Sequence, residues 1–307
     1  MNDPFPKFAG FTYSPALAFE EGVTRRDPSP VIFADGCYHV WYSKNVEGNP
    51  FPHDGWSASI WHATSLDGVE WEEEAEALPR GGQNAFDELG VFTPTILIAD
   101  NRYYLYYTAM PRGWLEGRDT TKGAIGVATS PSPFGPWERC GSEPILRCSD
   151  DPQAFDSLRV DDSCIIARNG EYRMYYKGRQ WDGPPTETKM GLATAKDPAG
   201  PWTKYEENPV LDSGHEVCVW PHGKGIGCLV CDVGPQGNTL QYSEDGVVFR
   251  KISDTVPPGA PGPFRADGFV HGEGPGMTWG ISMVHHHWPY LVRFDCDLKS
   301  KNSPEHL

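Results

Sequence analysis

Three carboxylates recur at one place in this chain. Asp27, Asp162 and Glu216 each lie eight or nine residues before a strand-like segment, and Thr93 holds the same place before a fourth. The segments are Gly36-Cys37-Tyr38-His39-Val40-Trp41-Tyr42, Asn101-Arg102-Tyr103-Tyr104-Leu105-Tyr106-Tyr107, Gly170-Glu171-Tyr172-Arg173-Met174-Tyr175-Tyr176 and Lys224-Gly225-Ile226-Gly227-Cys228-Leu229-Val230. If the repeated units stand around an axis, these side chains converge on one spot. His215 adjoins Glu216, so an imidazole joins them. Such a set points to acid/base chemistry on a small polar substrate. Glycoside hydrolysis needs one carboxyl group to protonate the leaving oxygen and another to activate water or attack the anomeric carbon. Carboxylates brought together raise the pKa of at least one member. A histidine beside a carboxylate can serve as the acid near neutral pH. The 11 Trp, 13 Tyr and 14 Phe suit a sugar site, with most of them expected in the core.

The elements that position these residues read as short strands. Ala63-Thr64-Ser65-Leu66-Asp67-Gly68 returns as Ala128-Thr129-Ser130 and as Ala193-Thr194-Ala195, each copy starting 65 residues after the last. A looser copy starts at Tyr242. Periods of this kind mark solenoids or propellers. Tyr-rich runs favour a pleated, half-buried surface, and Asp67-Gly68 and Asp245-Gly246 are tight-turn signals. The 29 prolines and 34 glycines suit many turns and oppose long helices. A unit of roughly 60 residues gives about five blades, the fifth degenerate over Phe264 to Phe294. The expectation is an all-β, five-bladed β-propeller with its site at one mouth of a central channel. Residues 25–300 form its single catalytic domain, 1–24 an N-terminal extension and 301–307 a C-terminal tail.

A formal net charge of −16 argues against a nucleic-acid partner. No run approaches the ~20 apolar residues of a membrane span. The opening Met1-Asn2-Asp3-Pro4 does not read as a secretory signal, so the expected location is cytoplasmic or periplasmic. The eight cysteines are scattered and suggest small core hydrophobes rather than a disulfide framework. His285-His286-His287 has the composition of a metal site, but neighbours along a strand face opposite ways, so at most two could serve one ion. No metal ligands are assigned.

Several stretches together resemble glycoside hydrolase family 117. They are Arg26-Asp27-Pro28-Ser29, Ile60-Trp61-His62-Ala63-Thr64, Val91-Phe92-Thr93, Tyr175-Tyr176-Lys177-Gly178, Asn238-Thr239-Leu240-Gln241 and above all Ser213-Gly214-His215-Glu216-Val217-Cys218-Val219-Trp220-Pro221. The resemblance runs from about Arg25 onward. It implies a five-bladed propeller and an exo-acting α-1,3-(3,6-anhydro)-L-galactosidase that splits neoagaro-oligosaccharides by inversion. It implies Asp27 as general base, His215 as general acid, and Asp162 and Glu216 completing the acidic site. Trp61, Thr93, Lys177 and His271 are its candidates for the substrate-binding wall. No cofactor is required, although a divalent cation in the channel is compatible with the family.

Three features depart from the family pattern. Only about 25 residues precede Asp27, which argues against the family's arm-swapped dimer and leaves monomer or dimer open. Asp161-Asp162-Ser163 stands where His-Asp-Pro is usual. Thr95 and Thr108 stand where an acid and a glutamine are usual. These changes bear on sugar specificity, so an arabinosidase, xylosidase or galactosidase, furanosides included, and a non-catalytic sugar-binding propeller are the alternatives.

Overall fold

The computed structural model describes residues 3–46, 57–111, 122–216 and 218–301. Residues 302–307 of the expected tail lie outside them. The described residues form strands and connecting loops, with no helix. Successive strands pair antiparallel in meanders. The first runs Val23–Arg26 with Ile32–Ala34, then Cys37–Val46, Ser59–Ser65 and Glu72–Leu78. The second begins with Gly90–Ala99 and Arg102–Met110 and continues through Ala124–Ser130 to Glu138–Arg139. The third is Arg159–Arg168, Glu171–Arg179, Lys189–Ala195 and Thr203–Lys204.

The remaining strands form one eight-stranded sheet built from two such groups. One is Cys218–Gly223, Gly225–Val230, Thr239–Ser243 and Arg250–Asp254. The other is Gly259–Pro263, Gly274–Val284, Tyr290–Lys299 and, from the opposite end of the chain, Thr12–Leu17. The two groups are joined where His222 pairs with Pro275 and Gly223 with Gly274. The expected N-terminal extension is therefore partly structural. The C-terminal segment supplies only three strands of its group, and Thr12–Leu17 pairs with Tyr290–Lys299 as the fourth. Phe5 is also buried, packed near Trp220, His222 and Tyr242.

The hairpins after the first strands turn on Asp35-Gly36, Asp100-Asn101 and Asn169-Gly170, all at positive φ. Two consecutive left-handed residues match the right-handed twist of the flanking strands, and Asp, Asn and Gly adopt that conformation at least cost. The second strands carry the core. Trp41, Tyr42, Tyr106, Tyr107, Tyr175 and Tyr176 are fully buried. Their hydroxyls are satisfied in a repeated way, since a buried polar group without a partner is costly. Tyr42 donates to Glu73, Tyr107 to Asp87 and Tyr176 to Asp156, each carboxylate held in turn by Lys44, Arg139 or Lys204.

Side chains also bridge the turns of neighbouring meanders. Phe134 packs edge-on against His39 and His62. Tyr106 Oη donates to the Pro198 carbonyl and Tyr175 Oη to the Gly246 carbonyl. Arg293 of the last group donates to the Gly68 carbonyl of the first. The last meander thus contacts the first.

Candidate active site

Asp27, Thr93, Asp162, Glu216 and Ala260 share one unusual conformation, with φ of 50°, 47°, 46°, 56° and 43°. Outside glycine this region is sparsely populated, and a β-branched residue such as Thr93 is an outlier there. The register slips between Phe92 and Thr95, between Asp161 and Cys164, and between Gly259 and Gly262. An inserted residue bends a strand and re-aims its side chain, which is how bulges serve sites. All five residues line one narrow space of about 50 Å³. Four of them also line a cavity of about 660 Å³ whose lining includes Asp27, Thr93, Asp161, Asp162, Lys177, His215 and Glu216. The sequence-derived acids and His215 therefore share a single cavity.

Behind the left-handed residues stands a second set, supplied by the neighbouring strands. Ser43 Oγ donates to Asp27 Oδ2 at 3.3 Å and accepts from the Thr93 amide at 2.8 Å. Thr108 Oγ1 bonds the Thr93 hydroxyl and accepts from the Asp162 amide at 3.2 Å. Lys177 Nζ donates to Asp162 and lies 3.4 Å from Asp161 Oδ1. Glu216 Oε2 accepts from the Ala260 amide at 2.7 Å. Arg26 Nη1 stands 3.3 Å from Asp27 Oδ2.

The electrostatics divide the carboxyls. Burial pushes Asp27 above its ordinary value, against Arg26 and with Asp162. Burial, then the charges of Asp27 and Asp162, raises Glu216 to about 8. Burial also acts upward on Asp162, but Lys177 and His215 outweigh it and hold it low. Its neighbour Asp161 is raised, by burial first. His215 goes the other way. The Lys177 ammonium, helped by burial, drives it down to about 4. The two shifts run in opposite directions, favouring the protonated form of Glu216 and the neutral form of His215. Asp162 and Asp232 act upward on His215, but Lys177 and burial outweigh them.

Two candidates fall elsewhere. Trp61 is absent from the cavity lining; its ring packs under Lys44 Nζ, 3.8 Å from the centroid, in the body of the first meander. His271 is exposed and accepts from the Gly170 amide, at the far end of the strand whose beginning carries Asp162. His285, His286 and His287 lie in the loop after Gly274–Val284, not along a strand, and with Trp288 they form part of the cavity wall. Ala260 has no reactive group, and the parallel of Ala260-Pro261 with Asp27-Pro28 and Thr93-Pro94 was its one sequence signal. The donor set suits a resident divalent cation poorly. Hard cations need six or more free oxygens, whereas Asp162 is taken by Lys177, Glu216 Oε2 by Ala260, and Asp27 by Arg26 and Ser43.

The family model for glycosyl hydrolases family 43 matches residues 23–163. The fold is that of a family 117 glycoside hydrolase produced by the marine bacterium Zobellia galactanivorans. The two share 31% identity with a TM-score of 0.85, over 97% of this chain and 92% of that one. A sucrose-6-phosphate hydrolase of Bacillus subtilis (strain 168) is 35% identical over 31% of this chain and 18% of its own length. A fructan 1-exohydrolase of Hordeum vulgare is 25% identical over 80% of this chain and 40% of its own. The chain thus spans less than half the length of either curated relative. The fold is of the propeller type seen in these glycoside hydrolases. With its likeness to the Zobellia enzyme extending over nearly the whole of both chains, the chain belongs to glycoside hydrolase family 117.

Proposed function

We propose that this protein is an inverting exo-glycoside hydrolase on a five-bladed propeller, releasing a terminal sugar, with 3,6-anhydro-L-galactose from neoagaro-oligosaccharides as the first substrate to test. The five left-handed residues, one per meander, support the blade count. The observation that supports the chemistry is that Asp27 and Glu216 share one cavity, where burial and the neighbouring acids raise Glu216 to about 8. Asp27 is the base that takes a proton from water as its oxygen bonds to the anomeric carbon. Glu216 is the donor that protonates the departing oxygen. Tuning two carboxyls apart is the usual way one site performs both tasks. Asp162, held ionised by Lys177, offers negative charge to the oxocarbenium-like transition state.

Inversion requires the two carboxyls to stand roughly 6.5–9.5 Å apart, with water seated between base and sugar. Ala260 supports that arrangement. It lies between Glu216 and Asp27 in the order of the meanders and contributes only a methyl group where the others carry oxygen. A binding module would have no use for a proton donor paired with a base, which weighs against the non-catalytic alternative.

The curated relatives favour a second reading, a furanosidase, since one is named as acting on fructan and one on a phosphorylated sucrose. Incubation with neoagarobiose, β-fructofuranosides and aryl arabinosides, xylosides and galactosides, followed by proton NMR of the first-formed anomer, tests both readings. Release of the inverted anomer from neoagarobiose is expected. Retention of configuration would overturn the mechanism, and turnover of only a fructofuranoside would overturn the substrate.

A further inference from the structure

The strands Gly274–Val284 and Tyr290–Lys299 are joined by His285-His286-His287-Trp288-Pro289, and all five residues line the 660 Å³ cavity that holds the acids. Among the described residues, none of these five lines the narrow space shared by the left-handed ones. The three histidines are exposed and Trp288 is half-buried. The loop is fixed by contacts on several sides. The Trp288 amide donates to His286 Nδ1 at 3.2 Å, and the His287 ring packs 4.5 Å from the indole. Phe19, just beyond the strand Thr12–Leu17, stands edge-on to His286 at 5.3 Å and to Tyr290 at 6.1 Å. The Arg25 amide donates to the Pro289 carbonyl at 2.8 Å, two residues before Asp27. The wall that carries Trp288 is therefore tied both to the N-terminal segment and to the strand that leads into the acid site.

A hydrolase that removes a terminal sugar seats that ring at its acids, and the rest of the chain must lie elsewhere in the same cavity. Cavities of about 300–1,000 Å³ take drug-sized ligands, so the 660 Å³ present here has room for more than one ring. An indole supplies no acid or base. It offers a large, rigid apolar face with one N–H at its edge, which matches the C–H face of a pyranose and its ring of hydroxyls. We propose that Trp288 is the platform for the pyranose on the leaving-group side of the scissile bond, and that Phe19 is a positioning residue that holds it there through His286. The assignment rests on the reading that a terminal sugar is cleaved from a longer chain, and not on which group donates the proton.

Two substrates separate this role from a structural one. Neoagarobiose carries a second ring, and methyl 3,6-anhydro-α-L-galactopyranoside does not. If another terminal sugar is preferred, its disaccharide and its methyl glycoside take their place. Trp288→Ala is expected to lose on the order of tenfold in kcat/KM on the disaccharide and to stay within about twofold on the methyl glycoside. Trp288→Phe should keep most of the parental value. Phe19→Ala should show the same selective loss at about threefold, and Phe19→Tyr should restore it. Equal losses on the two substrates would mark a merely structural role and overturn the proposal, as would an unchanged kcat/KM on the disaccharide. A crystal of the unaltered protein soaked in neoagarobiose judges the platform without activity. The second ring is expected within about 4 Å of the Trp288 indole face; an uncovered indole would refute the assignment. If no glycoside is hydrolysed while that ring still covers Trp288, the reading of function has failed and the platform stands.

Discussion

The Ala260 amide donates to Glu216 Oε2 at 2.7 Å, and both residues hold left-handed backbone. This bond fixes one oxygen of the carboxyl and leaves the other for the proton. It also lowers the pKa, but burial and the charges of Asp27 and Asp162 outweigh it and bring Glu216 to about 8. In the proposed mechanism the donor is therefore loaded at neutral pH.

The pH profile follows with a definite sign. An acid that must be protonated loses activity as pH rises through its pKa. The kcat/KM of the free enzyme should fall about tenfold per pH unit above roughly 8. Were His215 the donor, with its pKa near 4, that decline would begin some four units lower. Initial rates from pH 4 to 10 separate the two donors.

Lys177 faces both Asp161 and Asp162. Replacing it by Met removes the cation that these two buried acids share, a loss worth about 3–5 kcal/mol. In the variant those acids take up protons in the folded state more readily than in the unfolded chain. The destabilisation should therefore shrink as pH falls from 7 to 5. Urea melts at both pH values check the trend, and NMR titration should find His215 moved back up toward its ordinary value.

Much of this site was legible because chemistry and repetition coincide. Asp27, Asp162 and Glu216 carry an ionisable group at one offset, and Thr93 marks the same offset in a fourth meander. Ala260 was not legible. Its side chain does nothing chemical, and its Gly-rich second strand, Gly274–Val284, lacks the aromatic pair that marked those of the first three meanders. Thr12–Leu17 closes the last meander by a pairing that spans nearly the whole chain, which no local period encodes. Trp61 and His271 show a further limit. A motif says which residues recur, but which face and which end of a strand they occupy depends on pairing. The lowering of His215 depends on Lys177, contributed by a different meander, and no spacing within Ser213 to Pro221 predicts it.

The open fifth position gives a third prediction. Ala260→Asp places another acid between Glu216 and Asp27 at a backbone conformation Asp tolerates. Like charges disfavour ionisation, so the basic limb of the pH profile should move upward. Crowding of the water site should cut kcat at least about tenfold. Melting temperature and the rate profile of the purified variant report both effects.

A fourth concerns stability away from the site. His39 Nδ1 and His62 Nε2 lie 3.0 Å apart, stacked and buried beside Trp41 and Phe134. Burial lowers both, His62 to about 3. The unfolded chain then binds more protons than the folded one as pH falls below about 6.5, and stability is lost over that range. In His62→Phe the fall in melting temperature between pH 7 and 5 should be smaller than in the parent.

The division of labour between Asp27 and Glu216 is tested most directly by comparing leaving groups. On the best natural glycoside, Glu216→Gln and Asp27→Asn should each lose on the order of 10²–10⁴-fold in kcat. On the 2,4-dinitrophenyl glycoside of the same sugar, whose leaving group departs without a proton, Glu216→Gln should regain near-parental turnover and Asp27→Asn should remain inactive. Equal impairment of the two variants on both substrates would contradict the account, as would rescue of His215→Asn in place of Glu216→Gln.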